Sequence, residues 1–128
     1  MSSPRVIVIE DSATLAALAI RGLRMAGVAN ADFATTGADA LALINANKPD
    51  LVLLDLRLPD MEGWQILDEL FARYGKRATK VIIMTTYDND EAREKAAAYG
   101  VERYVLKPVM PNELVEMVTT MLALPSAK

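Results

Sequence analysis

Short apolar runs alternate along the chain with segments of helical period. Four of these runs are continuous, at Val6–Ile9, Leu51–Leu54, Val81–Met84 and Tyr104–Leu106. Because they are apolar at successive positions, and not only at every second one, they predict strands buried on both faces of a parallel sheet. A fifth and weaker strand is predicted at Asn30–Ala34.

The segments between the runs have the period of amphipathic helices, and their ends carry start and stop signals. The second helix is predicted to begin after the N-cap residue Thr36 and to end near Ala46, because Pro49 forbids its continuation. The fourth is predicted to begin near Asp90. The stops predicted for the other ends are Gly27, Gly75, Gly100 and Pro125. The apolar face of the first helix is expected to carry Leu15, Leu18, Gly22, Leu23 and Ala26; that of the third, Ile66, Leu67, Leu70 and Phe71; and that of the fifth, Leu114, Val115, Val118, Met121 and Leu122.

Five βα units in succession predict an α/β fold. Right-handed crossovers place helices on both faces of a doubly wound, five-stranded parallel sheet. The second strand ends in Ala34 and Thr35 without a charge, as expected for an edge strand in the order 2-1-3-4-5. The chain of 128 residues has room for one ordinary hydrophobic core, so residues 1–128 are predicted to form a single domain.

The residue composition excludes several kinds of catalytic and metal site. The chain has no cysteine and no histidine, which excludes disulfides, thiolate catalysis and the commonest transition-metal ligands. Any metal must therefore be held by oxygen, which favours Mg²⁺, Mn²⁺ or Ca²⁺. The net charge of −3 and the absence of a basic stripe argue against nucleic acid as a partner.

The apolar runs are all too short to span a bilayer, and the apolar stretch at the start of the chain is too short for a signal-peptide core. The sequence therefore predicts a cytoplasmic protein that does not bind membranes.

Polar residues follow the strands where each one ends. Glu10 and Asp11 follow the first strand, Asp55 the third, Thr85 the fourth and Lys107 the fifth. Because the carboxyl ends of parallel strands meet at one edge of the sheet, where open α/β sheets bind ligands, these side chains are expected to converge.

Three carboxylates beside one ammonium and one hydroxyl favour a hard cation, because like charges packed together destabilise one another. Mg²⁺ binds one or two carboxylates and leaves room for phosphate oxygens. A carboxylate beside such an ion can attack a phosphoryl group, while Lys107 and the Thr85 hydroxyl neutralise its oxygens.

Each residue also has a simpler interpretation. Glu10 and Asp11 precede a helix whose dipole favours acids, Asp55 can start a turn, Thr85 suits a strand, and Lys107 can be a solvated surface charge. Their joint placement at four strand ends favours a functional site over caps and turns.

The segments that carry these residues also show a family resemblance. VIVIEDS, LVLLDLRLPDMEGW, VIIMTT and YVLKP occur in order over nearly the whole chain. Together they resemble the response-regulator receiver domain of two-component signalling, a flavodoxin-like fold.

The resemblance implies a role for each site residue. Asp55 is the expected phosphoacceptor. Asp11 and Asp55 are expected to ligate Mg²⁺ (or Mn²⁺) directly, with the backbone carbonyl of Arg57, and Glu10 to act through water. Lys107 is expected to pair with the phosphoryl group, and its bond to Pro108 is expected to be cis.

The resemblance also implies a switch. On phosphorylation the Thr85 hydroxyl is expected to move towards the phosphate, and Tyr104 to swing inward. Arg57 and Tyr87 occupy positions that tune phosphoryl lifetime in the family, and they are expected to shield the acyl phosphate and slow its hydrolysis.

The implied protein is a signalling domain and not an enzyme with an external substrate, since it catalyses only its own phosphorylation and dephosphorylation. A histidine kinase or a histidine phosphotransfer protein is the expected donor in trans. The expected output is the binding of a downstream protein to the surface formed by the fourth helix, fifth strand and fifth helix.

Three other functions fit the sequence less well. A flavodoxin-like module for a nucleotide or flavin needs a glycine-rich phosphate loop, which the sequence lacks. An aspartyl phosphatase needs a second Asp close after the nucleophile, where Leu56 and Arg57 stand instead. A receiver used only as a docking platform normally loses the acceptor Asp or the Lys, and Asp55 and Lys107 are both present.

Overall fold

The computed structural model of the protein describes residues 4–86 and 88–124. Strands and helices alternate through these residues as the sequence predicts. In chain order they are β1 (Arg5–Ile9), α1 (Ala13–Met25), β2 (Asn30–Ala34), α2 (Gly37–Ala46), β3 (Leu51–Leu54), α3 (Gly63–Tyr74), β4 (Lys80–Thr85), α4 (Asp90–Ala98), β5 (Arg103–Leu106) and α5 (Pro111–Met121).

All the strands pair in parallel, in the order β2-β1-β3-β4-β5, which confirms the predicted topology. Leu54, the last residue of β3, lies between Ile9 of β1 and Ile83 of β4. The carboxyl ends of β1 and β3 are therefore level, and β4 continues two residues further, to Thr85. The residues that follow the three strands leave the sheet at its carboxyl end.

The sheet separates two apolar layers. Val6 and Val8 of β1 pack into the layer beneath α1 and α5, while Ile7 and Ile9 pack into the layer beneath α2, α3 and α4. Because successive side chains of a strand point to opposite faces, a strand covered on both faces must be apolar throughout. The prediction of buried strands is confirmed for β1, β3 and β4.

For β5 the same prediction is wrong. Its ends, Arg103 and Leu106, are exposed, and Tyr104 and Val105 are half-buried. The order of the strands explains this, because β5 pairs only with β4 and forms the edge of the sheet. An apolar run of this length does not distinguish a central strand from an edge strand.

The apolar face of α1 is rotated from the predicted one. Ala16 and Ala19 are buried with Gly22 and Leu23, whereas Leu15 and Leu18 are half-buried. Small residues are needed on this face because α5 packs closely against it.

The closeness of α1 and α5 is clearest at Gly22, where a Cβ would lie 3.2 Å from the carbonyl oxygen of Pro111. The helix α5 ends at Met121, and the stop predicted at Pro125 lies outside the described residues. Among the helices described here, none has the length and hydropathy needed to cross a membrane.

Candidate functional site

Backbone hydrogen bonds fix the residues that follow the strands. The amide of Asp55 donates to the carbonyl of Ile9 at 2.9 Å, and the amide of Lys107 donates to the carbonyl of Thr85 at 2.8 Å. The amide of Glu10 donates to the carbonyl of Ala34 at 3.0 Å. The hydrogen-bond pairing between strands thus continues one residue past the end of each strand. It brings the residues that follow the strands together at the carboxyl end of the sheet.

Three carboxylates meet there. Oxygen atoms of Glu10, Asp11 and Asp55 all lie within 4.8 Å of one another. Glu10 is 1% exposed and Asp55 5% exposed, whereas Asp11 is exposed. The cluster is therefore buried on the side of the sheet and open to solvent at Asp11.

Lys107 bridges the two buried carboxylates. Its Nζ lies 2.7 Å from Oε1 of Glu10 and 2.8 Å from Oδ2 of Asp55, and its side chain is 10% exposed. The other carboxylate oxygens accept backbone hydrogen bonds, Oε2 of Glu10 from the amide of Ser12 at 3.0 Å and Oδ1 of Asp55 from the amide of Arg57 at 3.3 Å. Each buried carboxylate is thus held by one ammonium bond and one amide bond.

The pKa values in the cluster are shifted. Burial raises the pKa of Glu10, although its hydrogen bond from Lys107 opposes the rise. A side-chain hydrogen bond with Glu10 lowers the pKa of Asp11. Desolvation alone would lower the pKa of Lys107, but its hydrogen bonds to Asp55 and Glu10 outweigh desolvation and raise it. Lys107 therefore stays protonated at neutral pH, and its one positive charge faces a cluster of three carboxylates.

The donor set suits a hard divalent cation. All its candidate ligand atoms are carboxylate oxygens, two of the carboxylates are already oriented by hydrogen bonds, and the third faces solvent, from which an ion can enter. Mg²⁺ prefers such oxygen ligands and retains some of its waters. A divalent charge would also relieve the repulsion among the carboxylates.

Gly63 allows the first turn of α3 to pack against the backbone of Asp55. Its amide donates to the carbonyl of Leu56 at 2.8 Å. A Cβ at this position would lie 2.6 Å from the carbonyl oxygen of Asp55, so a larger residue would displace the backbone there. This contact was not predicted from the sequence, although the glycine in the segment DMEGW is a visible signal for it.

Asp60 ties the loop after Asp55 to a different helix. Its carboxylate accepts hydrogen bonds from the amides of Gly37 at 2.7 Å and Ala38 at 3.0 Å, at the start of α2. These two bonds lower the pKa of Asp60. This role was not predicted from the sequence either, because the partners of Asp60 are more than twenty residues away along the chain.

The two predicted switch residues share one face of the sheet. Tyr104 pairs with Ile83 in the register of β4 and β5, and Thr85 lies two residues beyond Ile83. Because side chains alternate along a strand, Thr85 and Tyr104 both face the layer that includes α4. Thr85 is 1% exposed and Tyr104 is half-buried.

Three other predictions concern the bond between Lys107 and Pro108 and the side chains of Arg57 and Tyr87. The bond between Lys107 and Pro108 is cis, as expected. The side chain of Arg57 is exposed, and Tyr87 lies outside the described residues. The geometry thus brings together Glu10, Asp11, Asp55 and Lys107, while the chemical roles assigned to them stay predictions.

Comparisons with known proteins agree with this fold. The family model of the response regulator receiver domain matches residues 6–119. The chain is 32% identical over 118 residues to the transcriptional regulatory protein PcoR of Escherichia coli, covering 92% of this chain and 51% of PcoR. It thus spans about half the length of this curated relative.

Solved structures are also similar. A response regulator receiver domain protein (CheY-like) from Methanospirillum hungatei superimposes with a TM-score of 0.85 at 28% identity, covering 95% of both chains. The receiver domain of the Francisella response regulator 1452 gives a TM-score of 0.82 at 27% identity, covering 94% of this chain and 98% of that one. The protein belongs to the response regulator receiver domain family of two-component signal transduction.

Proposed function

We propose that Asp55 accepts a phosphoryl group from a phosphohistidine of a partner protein in the presence of Mg²⁺. The single observation that carries this proposal is the bridge from Lys107 to Asp55 and Glu10, beside the exposed carboxylate of Asp11. This arrangement offers a nucleophile, a fixed cation and a set of oxygen ligands within one cluster.

The transfer needs only one bond made and one broken. An oxygen of Asp55 forms a bond to phosphorus, and the P–N bond of phosphohistidine breaks with its electron pair going to the imidazole, which takes up a proton. Mg²⁺, when bound, neutralises charge on the phosphoryl oxygens. The donor must act in trans, because this chain contains no histidine.

The residues of the site have distinct tasks in this scheme. Asp11 and Asp55 hold the ion directly with the carbonyl of Arg57, and Glu10 acts through water. The Nζ of Lys107, 2.8 Å from Oδ2 of Asp55, shifts to a phosphoryl oxygen as Asp55 loses its charge to the new bond. Positioning and charge neutralisation of this kind are the main needs of phosphoryl transfer.

The output of the site is a change of surface. In our proposal the Thr85 hydroxyl moves to the phosphate and Tyr104 moves inward, which alters the face formed by α4, β5 and α5 for a downstream protein partner. This face has exposed apolar side chains, since Leu106 is 41% and Met110 48% exposed. A groove of about 550 Å³ between β5 and α5 is lined by Val105, Leu106 and Met117.

We also propose where the protein acts and what it does not bind. Residues 1–128 act as a single receiver domain in the cytoplasm, without nucleic acid or membrane as a partner, and catalyse only their own phosphorylation and dephosphorylation. Arg57 and Tyr87 shield the acyl phosphate and lengthen its life. Unchanged phosphoryl half-lives in Arg57→Ala and Tyr87→Ala proteins would contradict the shielding.

The test is intact-mass spectrometry after treatment with acetyl phosphate and Mg²⁺. The wild type should gain the mass of one phosphoryl group, and the gain should disappear with EDTA or in Asp55→Asn. Asp50→Asn, which alters a carboxylate at the opposite end of the sheet, is the matched control and should react like the wild type. A wild type that gains no mass would instead indicate a receiver that serves only for docking.

A further inference from the structure

Arg93 of α4 covers the predicted switch residue. Its guanidinium carbon lies 4.6 Å from the centre of the Tyr104 ring, within the range of a favourable cation–π contact. Nε of Arg93 also donates to Oδ1 of Asp88 at 3.0 Å. The guanidinium is thus oriented from two sides, by a carboxylate in the loop before α4 and by an aromatic ring of β5.

This contact joins β5 to the most weakly packed helix. Of the nine residues of α4, all of them described, Ala96 alone is buried, whereas each of the other helices buries at least three residues. Few apolar contacts hold α4 against the sheet, so polar and ring contacts of its side chains have more influence on its position. The contact of Arg93 with Tyr104 is one of these.

We propose that Arg93 is a positioning residue for the switch, which holds Tyr104 in its half-exposed orientation and so favours the unphosphorylated state. The inference rests on the proposed function, because it assumes that Tyr104 moves inward when Asp55 is phosphorylated. An inward ring leaves the guanidinium, so the contact exists in only one of the two states. A contact made in one state shifts the equilibrium towards that state.

The charges near Tyr104 act on the pKa of its phenol. Desolvation raises the pKa of its phenol, the charge of Arg93 opposes that rise, and the charge of Asp88 adds to it. Removal of Arg93 should therefore raise the pKa of the Tyr104 phenol further. Tyrosine labelled with ¹³C at Cζ gives an NMR signal that reports this change without any phosphorylation.

Beryllofluoride, an analogue of the bound phosphoryl group, provides the measurement of the switch. With Mg²⁺ present, its affinity is compared between the wild type and Arg93→Gln by NMR titration. A cation–π contact at a partly exposed site has a free energy that corresponds to a change of about two- to fivefold. Arg93→Gln should bind beryllofluoride tighter by about that factor.

The chain offers a matched control. Arg73 lies 5.7 Å from the ring centre of Tyr74, at the end of α3. Arg73→Gln removes the same charge from a similar contact away from the switch, and it should leave the affinity unchanged. An equal gain in Arg73→Gln would show that net charge, and not the contact with Tyr104, sets the affinity.

A second background separates positioning from a general effect on the fold. In Tyr104→Leu the ring is absent, so the addition of Arg93→Gln should change the affinity for beryllofluoride no further. The same two- to fivefold gain in that background, or no gain of Arg93→Gln in the wild-type background, would overturn the inference. Failure of the wild type to bind beryllofluoride at all would refute the proposed function, and this inference with it.

Discussion

The two ends of the sheet both carry buried polar side chains, but they differ in how charge is balanced. Among the described residues, the buried polar side chains are those of Glu10, Asp55, Thr85 and Thr79. The first three lie at the carboxyl ends of the strands, and Thr79 lies just before β4, at the amino end. No buried side-chain nitrogen or oxygen of the described residues lacks a hydrogen-bond partner.

At the amino end, the backbone satisfies most of the polar side chains. The carboxylate of Asp50 accepts from the amide of Arg5 at 2.7 Å and lies 3.7 Å from Nζ of Lys48. The guanidinium of Arg5 donates to the carbonyls of Asn47 and Leu43. Arg5, Lys48 and Asp50 thus each have an opposite charge or backbone groups as partners.

At the carboxyl end, the ammonium of Lys107 bridges two of the three clustered carboxylates, those of Glu10 and Asp55. Hydrogen bonds from two backbone amides orient the cluster but do not neutralise it. The contrast teaches that the candidate site differs from the amino end in its excess of negative charge, which is held in a fixed geometry and open to solvent at Asp11.

The largest expected effect is that of Lys107→Met on phosphorylation. Loss of the cation that faces the phosphoryl group should slow the reaction with acetyl phosphate by about a hundredfold or more, the usual effect of removing one such stabilising group. The effect is measured as the rate at which the protein gains the mass of a phosphoryl group. Arg5→Met, at the amino end, should react at the wild-type rate, and similar slowing in both variants would erase the contrast between the two ends.

Addition of Mg²⁺ should stabilise the protein through the carboxyl end alone. At a hundredfold excess over its Kd, a ligand that binds only the folded state adds about 2.7 kcal/mol to the free energy of unfolding. Urea denaturation should show this gain in the wild type and in Asp50→Ala. The gain should be lost in Asp11→Asn; if Asp11→Asn keeps it, the ion binds elsewhere.

Without Mg²⁺, stability should depend more on the amino end. Asp50→Ala removes the acceptor of a part-buried hydrogen bond from the amide of Arg5, which should lower the free energy of unfolding by about 0.5–1.5 kcal/mol. Asp55→Asn keeps an oxygen for Lys107 and removes one of the clustered negative charges, so it should not lower that free energy. A larger loss in Asp55→Asn than in Asp50→Ala, by urea denaturation, would reverse the comparison.

The smallest effect concerns a carboxylate at the carboxyl end that serves structure. The hydrogen bonds from Gly37 and Ala38 lower the pKa of Asp60 below its ordinary value of 3.8. A carboxyl group with a lowered folded pKa contributes stability above its unfolded pKa, and this is lost as the pH falls through the folded value. Asp60→Asn should therefore lower stability at neutral pH and flatten its decline in acid, whereas an unchanged acid profile would contradict this role.

The sequence was sufficient to predict the fold because the fold depends on local patterns. The runs at Val6–Ile9 and Leu51–Leu54 are apolar throughout, as strands covered by helices on both faces must be. The same rule misled at β5, since a run of three apolar residues fits an edge strand as well as a central one. On α1 the helical periodicity favoured Leu15 and Leu18 over Ala16 and Ala19, because periodicity cannot show how closely α5 approaches.

The site was predictable to the extent that strand ends define it. Glu10, Asp55 and Lys107 each follow a strand directly, so a correct strand order was enough to bring them together. Contacts between distant loops and helices leave no such pattern. Asp60 capping α2 and Arg93 covering Tyr104 depend on how separate elements pack, and only the structure shows them.

The most direct test of the account is chemical identification of the residue that carries phosphate. Borohydride reduces an aspartyl phosphate to homoserine, and peptide mass spectrometry locates the product. After treatment with acetyl phosphate and Mg²⁺, the account predicts homoserine at position 55 and at no other aspartate. Homoserine at Asp11 or Asp60, or unmodified Asp55 in a protein that has gained phosphate, would contradict it.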